Sequence, residues 1–366
     1  MRVLQLIDSL SPGGAEKMAV NIANALLTHV EGSYLCCTRQ EGMLKEQLKP
    51  EVGYIFLNKR SSLDPKAILK LRKYIKENKI EIVQAHSTSY FLAGLLKLCG
   101  ARFKLIWHDH YGESDFLEKR EFNVLKKFSY LFTGIISVNT VLKNWAHQKL
   151  QCKNVIELKN FIPDQNNSIR TNLKLKGAET DFKIICVANL RPQKDHLNLL
   201  RAFELLEPNL AISLHLIGED PQTVYSALIL KEIENSYVSH KIHYYGVQPE
   251  IKSLLQQADL GLLASKSEGL PIALLEYGQV GLTVISTSVG KCSEVIGDFG
   301  KLIPPENSEA LFLAIQFYFQ NRQKRIQDAK NFQKKVENEY SEKSIVPQIL
   351  KFFESMLGPE KIVLQE

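Results

Sequence analysis

Apolar runs rich in β-branched residues alternate with amphipathic helical stretches along this chain, and that rhythm most restricts its fold. Val3–Ile7 reads as a strand and Ala15–Leu27 as an amphipathic helix. Ile80–Ala85, Phe103–Trp107 and Gly134–Val138 read as further strands, with helical stretches between them. Such alternation builds βαβ units, and hence a parallel sheet covered by helices. A polar segment at 164–181, with Asn166, Asn167, Ser168 and Gly177, interrupts the pattern. A second series then begins at Phe182–Val187 and continues through Ala211–Ile217, Ile242–Tyr245, Leu260–Leu263 and Thr283–Ser286. The expectation is an α/β protein of two doubly wound domains, 1–163 and 182–340, joined by the connection 164–181. Facing each other, they would take ligands in a cleft between strand carboxyl ends. A long charged helix is expected at roughly 308–338. The amphipathic segment Ile345–Leu357, within the tail 341–366, is expected to cross back to the first domain.

Composition agrees with this architecture. The 366 residues are 45% apolar and 23% charged, as in soluble globular proteins, and no window approaches the ~20 apolar residues of a membrane span. The N-terminal MRVLQLIDSL lacks the longer apolar region and small-residue cleavage site of a secretory signal. Six cysteines without C-x-x-C spacing read as reduced thiols of a cytoplasmic protein, and no zinc site is expected. The net charge of +6 is uneven: residues 1–164 hold 24 Lys+Arg against 16 Asp+Glu, and the remainder 22 against 24. A positive first half suits phosphorylated substrates or anionic lipid. The interleaved Arg and aromatics of a nucleic-acid module are absent.

The chemistry concentrates in Ser267–Glu276, SEGLPIALLE. Glu268 and Glu276 stand eight positions apart across an expected helix start, with Gly269, Leu270 and Pro271 between them. Proline suits a first helical turn, and backbone N–H groups at a helix start favour phosphates. Glu276 falls in an apolar run, where an unpaired carboxylate is costly to bury. From Pro271 to Glu276 a helix rises roughly 7–8 Å, about the distance from a nucleotide's diphosphate to its ribose hydroxyls. Upstream, Val187–His196 (VANLRPQKDH) leaves a strand and opens a helix. Alone it reads as a solvated basic loop. Beside SEGLPIALLE, Arg191 and Lys194 read as two cations able to neutralise a diphosphate leaving group without a metal.

These elements resemble the C-terminal half of GT-B-fold, retaining glycosyltransferases of the large family 4 group. HLIGED at 215–220, YYGVQPEI at 244–251 and the long match at 258–296 extend the similarity over nearly all of the second domain. The resemblance implies two facing Rossmann-like domains. Glu268 and the backbone after it would hold the donor sugar, Glu276 the ribose hydroxyls, and Arg191 and Lys194 the diphosphate. Where many members carry the basic residue, this chain has Asn189, with Arg191 two residues later. The first half is similar more loosely. In SPGGAE at 11–16, Gly13 and Gly14 would let a phosphate or acceptor approach the backbone, although a GG before a helix is often only a tight turn.

Three histidines, His86, His108 and His110, end predicted strands, with Asp109 between two of them. The family commonly carries a histidine near the transferred sugar. The register points to His110 with His108 as its rival, and His86 matches the acceptor side or is structural. No D-x-D pair occurs, so neither a metal nor another cofactor is expected, and Glu113-x-Asp115 is a weak metal signal. Lys66–Lys79 reads as a helix packed on the sheet. Glu118–Phe132, with Lys119, Arg120, Lys126 and Lys127 among Phe122, Leu125, Phe128 and Leu131, reads as a peripheral contact with anionic membrane.

The reading is a transferase moving a sugar from a nucleotide-diphosphate sugar, UDP favoured, to a glycan or lipid-linked acceptor with retention, in surface-polysaccharide or glycoconjugate biosynthesis. Alternatives are a nucleotide-sugar epimerase of the same fold and a non-catalytic sugar-nucleotide or glycan-binding module.

Overall fold

Two parallel sheets, each with a topological switch point, carry the chain. The computed structural model describes residues 1–164 and 173–358, so 165–172 of the polar segment at 164–181 lie outside the described residues. The chain divides into two compact units. Unit 1 comprises Met1–Tyr111, Leu117–Pro163 and the C-terminal helix Glu342–Leu357; unit 2 comprises Asp164–Ser341 and the short loop Gly112–Phe116.

The unit 1 sheet contains β1 (Arg2–Ser9), β2 (Gly32–Gln40), β3 (Gly53–Phe56), β4 (Ile82–His86), β5 (Lys104–Asp109), β6 (Gly134–Ser137) and β7 (Val155–Glu157), in the order β3-β2-β1-β4-β5-β6-β7. Every pairing is parallel. Side chains alternate across such a sheet. Leu4, Leu6, Val83, Ala85, Leu105 and Trp107 fill the core on one face, and Ile7, Leu35 and Cys37 pack with Ala19, Val20 and Ala23 of the helix Gly14–Leu26 on the other. The helix Glu342–Leu357 starts where Glu342 N donates to Ile162 O and lays Phe352 against Gly134, where a Cβ would lie 2.6 Å from the ring. Glycine is required there for close approach.

Unit 2 repeats the plan with β8 (Phe182–Val187), β9 (Ile212–Ile217), β10 (Ile242–Tyr244), β11 (Leu260–Leu263), β12 (Thr283–Thr287) and β13 (Lys301–Ile303), ordered β10-β9-β8-β11-β12-β13. The strand order reverses between β1 and β4 in unit 1 and between β8 and β11 in unit 2. Loops leaving the carboxyl ends of those strands diverge to opposite sides and open a crevice.

Several expectations change. β2, β3, β7 and β13 were not read from the sequence. The charged helix of 308–338 is two helices, Ser308–Gln320 and Arg322–Glu339, broken at Asn321, whose ψ of 69° leaves the helical region while its amide donates to Phe317 O. Pro271 is not inside a helix: its ψ of 118° makes it the N-cap of Ile272–Gln279. In the Glu118–Phe132 stretch Phe122, Leu125, Phe128 and Leu131 serve the interior, while Val124 and Tyr130 are exposed. Leu125 is buried, Phe122 packs edge-on to Trp145, and Phe128 meets Phe91 with centroids 5.0 Å apart. Arg120 is buried too, forking both terminal nitrogens onto the Asp109 carboxylate at 2.8 Å and lying over the rings of Trp145 and Tyr111. Its charge holds the loop after β5, and only Lys119, Lys126 and Lys127 of that stretch present basic groups to solvent. The helix Pro65–Glu77 packs Ala67, Leu71 and Ile75 inward, as read.

Candidate active site

The switch point of unit 2 brings two sequence-distant loops together. The loop after β8 carries Lys194 in a short 3-10 turn, and the loop after β11 carries Glu268. Lys194 Nζ donates to Glu268 Oε1 at 2.6 Å, and Ser265 Oγ donates to the same oxygen at 2.7 Å. The carboxylate is 5% exposed and the lysine side chain 20%, so the pair is largely withdrawn from water. Lysine has three N–H donors. With one spent on Glu268, two remain for another anion.

The backbone around Glu268 is fixed from several directions. Thr287 Oγ1 donates to Ser265 O, Lys266 N to Gln193 O, and Lys291 N to Gly269 O. Gly290 has φ +50°, and a Cβ there would stand 2.0 Å from Glu268 O, so only glycine lets the loop after β12 close over the turn. The loop Gly112–Phe116 completes the frame. Ser114 Oγ donates to Glu268 O at 2.7 Å, and Ser267 Oγ donates to Asp115 Oδ2 at 2.7 Å. The Asp115 carboxylate, a weak metal signal in the sequence, accepts from Ser267 Oγ and from Gly290 N. This frame was not read from the sequence, because nothing local assigns five residues after β5 to unit 2.

Helix Ile272–Gln279 is anchored by Tyr277, whose buried hydroxyl accepts from Val187 N at 2.8 Å and donates to Leu262 O at 3.3 Å. Gly261 leaves room for that ring. This anchorage sets the helix against β8 and β11 and fixes Glu276, which is 9% exposed, one turn in. Gly269, Leu270 and Pro271 form the turn between the two glutamates. Arg191 is exposed at the rim of the β8 loop, and Asn189 Oδ1 accepts from Glu219 N, which ties the β8 and β9 loops together.

The remaining candidates lie in unit 1. Gly13 is the N-cap and Gly14 the first residue of helix Gly14–Leu26, with no side-chain cap on that end. His86, His108 and His110 form one cluster whose nearest ring nitrogens lie within 4.8 Å of one another. His86 and His108 are buried; His110, just past β5, is half-buried. Burial pushes all three well below the ordinary histidine value, His110 to about 3, so the rings are neutral at physiological pH. Neutral imidazoles can ligate a metal, but His86 Nδ1 and His110 Nε2 face each other at 2.9 Å with centroids 5.1 Å apart and planes 15° off parallel. That edge-to-edge, nearly coplanar arrangement is the geometry of an N–H···N hydrogen bond.

Two family models match the chain: residues 169–337 fit glycosyl transferases group 1, and residues 12–163 fit glycosyltransferase family 4. The chain belongs to the group 1 glycosyltransferases. The transferase is 27% identical over 226 residues to an N-acetyl-alpha-D-glucosaminyl L-malate synthase of Bacillus anthracis, a match spanning 59% of this chain and 58% of that enzyme. It is 24% identical over 301 residues, 79% of each chain, to a Campylobacter jejuni GalNAc-alpha-(1->4)-GalNAc-alpha-(1->3)-diNAcBac-PP-undecaprenol alpha-1,4-N-acetyl-D-galactosaminyltransferase. Among solved structures, HepE of Anabaena in complex with UDP and glucose superimposes with a TM-score of 0.80 at 18% identity, covering 97% of this chain and all of that one. The fold is GT-B.

Proposed function

We propose that the transferase moves a sugar from a UDP-sugar to a lipid-linked glycan acceptor, with retention of anomeric configuration, in bacterial surface-polysaccharide or glycoconjugate biosynthesis. The observation that carries the reading is the buried Lys194–Glu268 pair at the unit 2 switch point, with Glu276 one turn into the helix that follows. In this reading Lys194 bridges Glu268 and the donor diphosphate, while Arg191 adds a second positive charge from the rim. Cations already in place at the leaving oxygen stabilise charge that develops as the glycosidic bond breaks, with no metal needed. Glu268 and the Gly269–Pro271 backbone would orient the sugar, and Glu276 would accept hydrogen bonds from the ribose hydroxyls.

Unit 1 supplies the acceptor side in this reading. Gly13 and Gly14 would offer backbone N–H groups at a helix start, beside the Glu16 carboxylate. His110, the less buried member of the cluster, is assigned to the sugar in preference to the sealed His108. The undecaprenyl carrier in the Campylobacter relative's name, together with the excess positive charge of residues 1–164, supports an acceptor borne on an anionic lipid surface.

The test is a panel of nucleotide sugars screened by thermal shift, followed by transfer to diphospholipid-linked acceptors with the best donor. Glu276→Ala and Lys194→Ala should each lower kcat/KM for the donor by about a hundredfold, the effect of removing one pre-organised donor or acceptor at a reacting centre. Wild-type activity in both variants would refute the assignment. Isomerisation of donor without acceptor would replace transfer with epimerisation, and binding without turnover would leave a non-catalytic module.

A further inference from the structure

Lys59, three residues past β3, is 6% exposed, yet among the described residues its ammonium makes no ion pair and no hydrogen bond. An unpaired charge withdrawn from water is costly. The backbone around it is nevertheless held from both sides. Lys59 N donates to Thr38 O at 2.7 Å, and Leu57 N donates to Cys37 O at 3.0 Å, so the chain runs on beside β2. Asn58 between them has φ +52°, a left-handed conformation that asparagine tolerates better than most residues. Arg60 N then donates to Asp64 Oδ2, and the other oxygen of that carboxylate caps helix Pro65–Glu77 through Lys66 N and Ala67 N. The lysine is fixed without being neutralised.

The charges nearby do not supply the missing partner. Burial pulls the Lys59 pKa down; Asp8 opposes that fall and Arg39 adds to it. Asp8, at the carboxyl end of β1, is already engaged. It accepts from Thr38 Oγ1 and from Thr88 Oγ1, and Arg39 Nε stands 3.9 Å from its Oδ1. Asp64 is spent on backbone N–H groups. Asp8 therefore offsets one of two cations, and Lys59 with Arg39 leaves a positive charge in excess where β1, β2 and β3 end. The Arg39 side chain is 42% exposed, so solutes reach this place from solvent.

We infer that Lys59 and Arg39 form an anion site within unit 1 that takes a phosphate group of the acceptor. Lysine meets phosphate as a point charge with three donors, and arginine adds its planar fork. The site stands on unit 1 alone; assigning its phosphate to the acceptor rests on the proposed function. The selectivity that follows is for a glycan linked through diphosphate over the same glycan on an uncharged alkyl chain.

Inorganic pyrophosphate, titrated calorimetrically into full-length protein saturated with UDP, probes the site apart from Lys194. Lys59→Met should weaken pyrophosphate binding at least tenfold, about the weight of a hydrogen bond between charged groups, and the exposed Arg39→Gln about threefold. Because the ammonium is unpaired, Lys59→Met should melt at the wild-type temperature or above it, whereas loss of a lysine kept for structure would lower it. In transfer assays Lys59→Met should raise KM for a diphospholipid-linked acceptor about tenfold, with KM for the donor and for the alkyl glycoside within about twofold. Unchanged pyrophosphate affinity in both variants, a lower melting temperature with affinity kept, or succinate bound more tightly than pyrophosphate would overturn the inference. So would an equal rise in KM for both acceptors. If wild type transfers sugar to neither acceptor, the functional reading fails, and pyrophosphate binding still decides whether the anion site exists.

Discussion

Replacing Lys194 by methionine should cost unit 2 roughly 2–3 kcal/mol of stability, and replacing Glu268 as well should return most of it. The figure follows from geometry. Lys194 Nζ and Glu268 Oε1 are 2.6 Å apart, with the carboxylate 5% and the lysine 20% exposed. Removing one partner of a fully buried pair costs about 3–5 kcal/mol, chiefly through the charge left behind. Two features lower that range here. Ser265 Oγ keeps its bond to the stranded oxygen, and the lysine retains some contact with water. In Lys194→Met/Glu268→Gln no uncompensated charge remains, so the coupling energy of the cycle should be about 2 kcal/mol. For a unit of this size each kcal/mol shifts the melting temperature by about 2–4 °C, so Lys194→Met should melt roughly 4–12 °C lower. Calorimetry on the two single variants and the double variant reads this directly. The same proteins titrated with UDP separate structure from function: the double variant should regain stability but not affinity. A coupling energy below about 0.5 kcal/mol would show that the ion pair is not present in solution. Recovery of UDP affinity in the double variant would show that Lys194 serves Glu268 alone.

Acid should weaken unit 2 through His196, whose buried ring is pushed down to about 4 by burial first and by Lys194 second. Above pH 6.5 the histidine is neutral folded and unfolded; as pH falls from there to about 4, only the unfolded chain takes up the proton. Stability is therefore lost over that window, by about 2 kcal/mol at pH 5 and about 3 kcal/mol at pH 4. Denaturant unfolding at pH 7 and pH 5 should show His196→Leu losing about 2 kcal/mol less than wild type over the same step, and equal losses would refute the burial argument. Lys119, Lys126 and Lys127 should draw the chain to anionic vesicles, at about 1 kcal/mol per lysine near the surface. Flotation should fall on their replacement by glutamine and with rising salt. Equal flotation with neutral and anionic vesicles would remove membrane association from the reading.

What was legible in the sequence was what depends on neighbours along the chain. The period of apolar residues announced βαβ units, so two parallel sheets could be inferred from Val3–Ile7, Phe182–Val187 and their kin. β2, β3, β7 and β13 escaped because GSYLCCTRQ mixes polar residues into its run and the others are only three or four residues long. Spacing alone also marked Glu268 and Glu276, because a carboxylate inside IALLEYG conflicts with its surroundings wherever that segment folds. The aromatic residues of Glu118–Phe132 show the converse limit. Amphipathicity shows that one side is apolar, but not whether lipid or protein covers it.

The tertiary structure alone decided which distant groups share a proton or a charge. Lys194 and Glu268 are 74 residues apart, His86 and Gln5 are 81, and Ser114 reaches Glu268 across 154. Hydrogen bonds and ion pairs act over a few ångströms and are blind to sequence separation, so their partners are set by strand order at each switch point. The sequence named the donors and acceptors; the sheets, by reversing direction beside β1 and β8, chose the pairs.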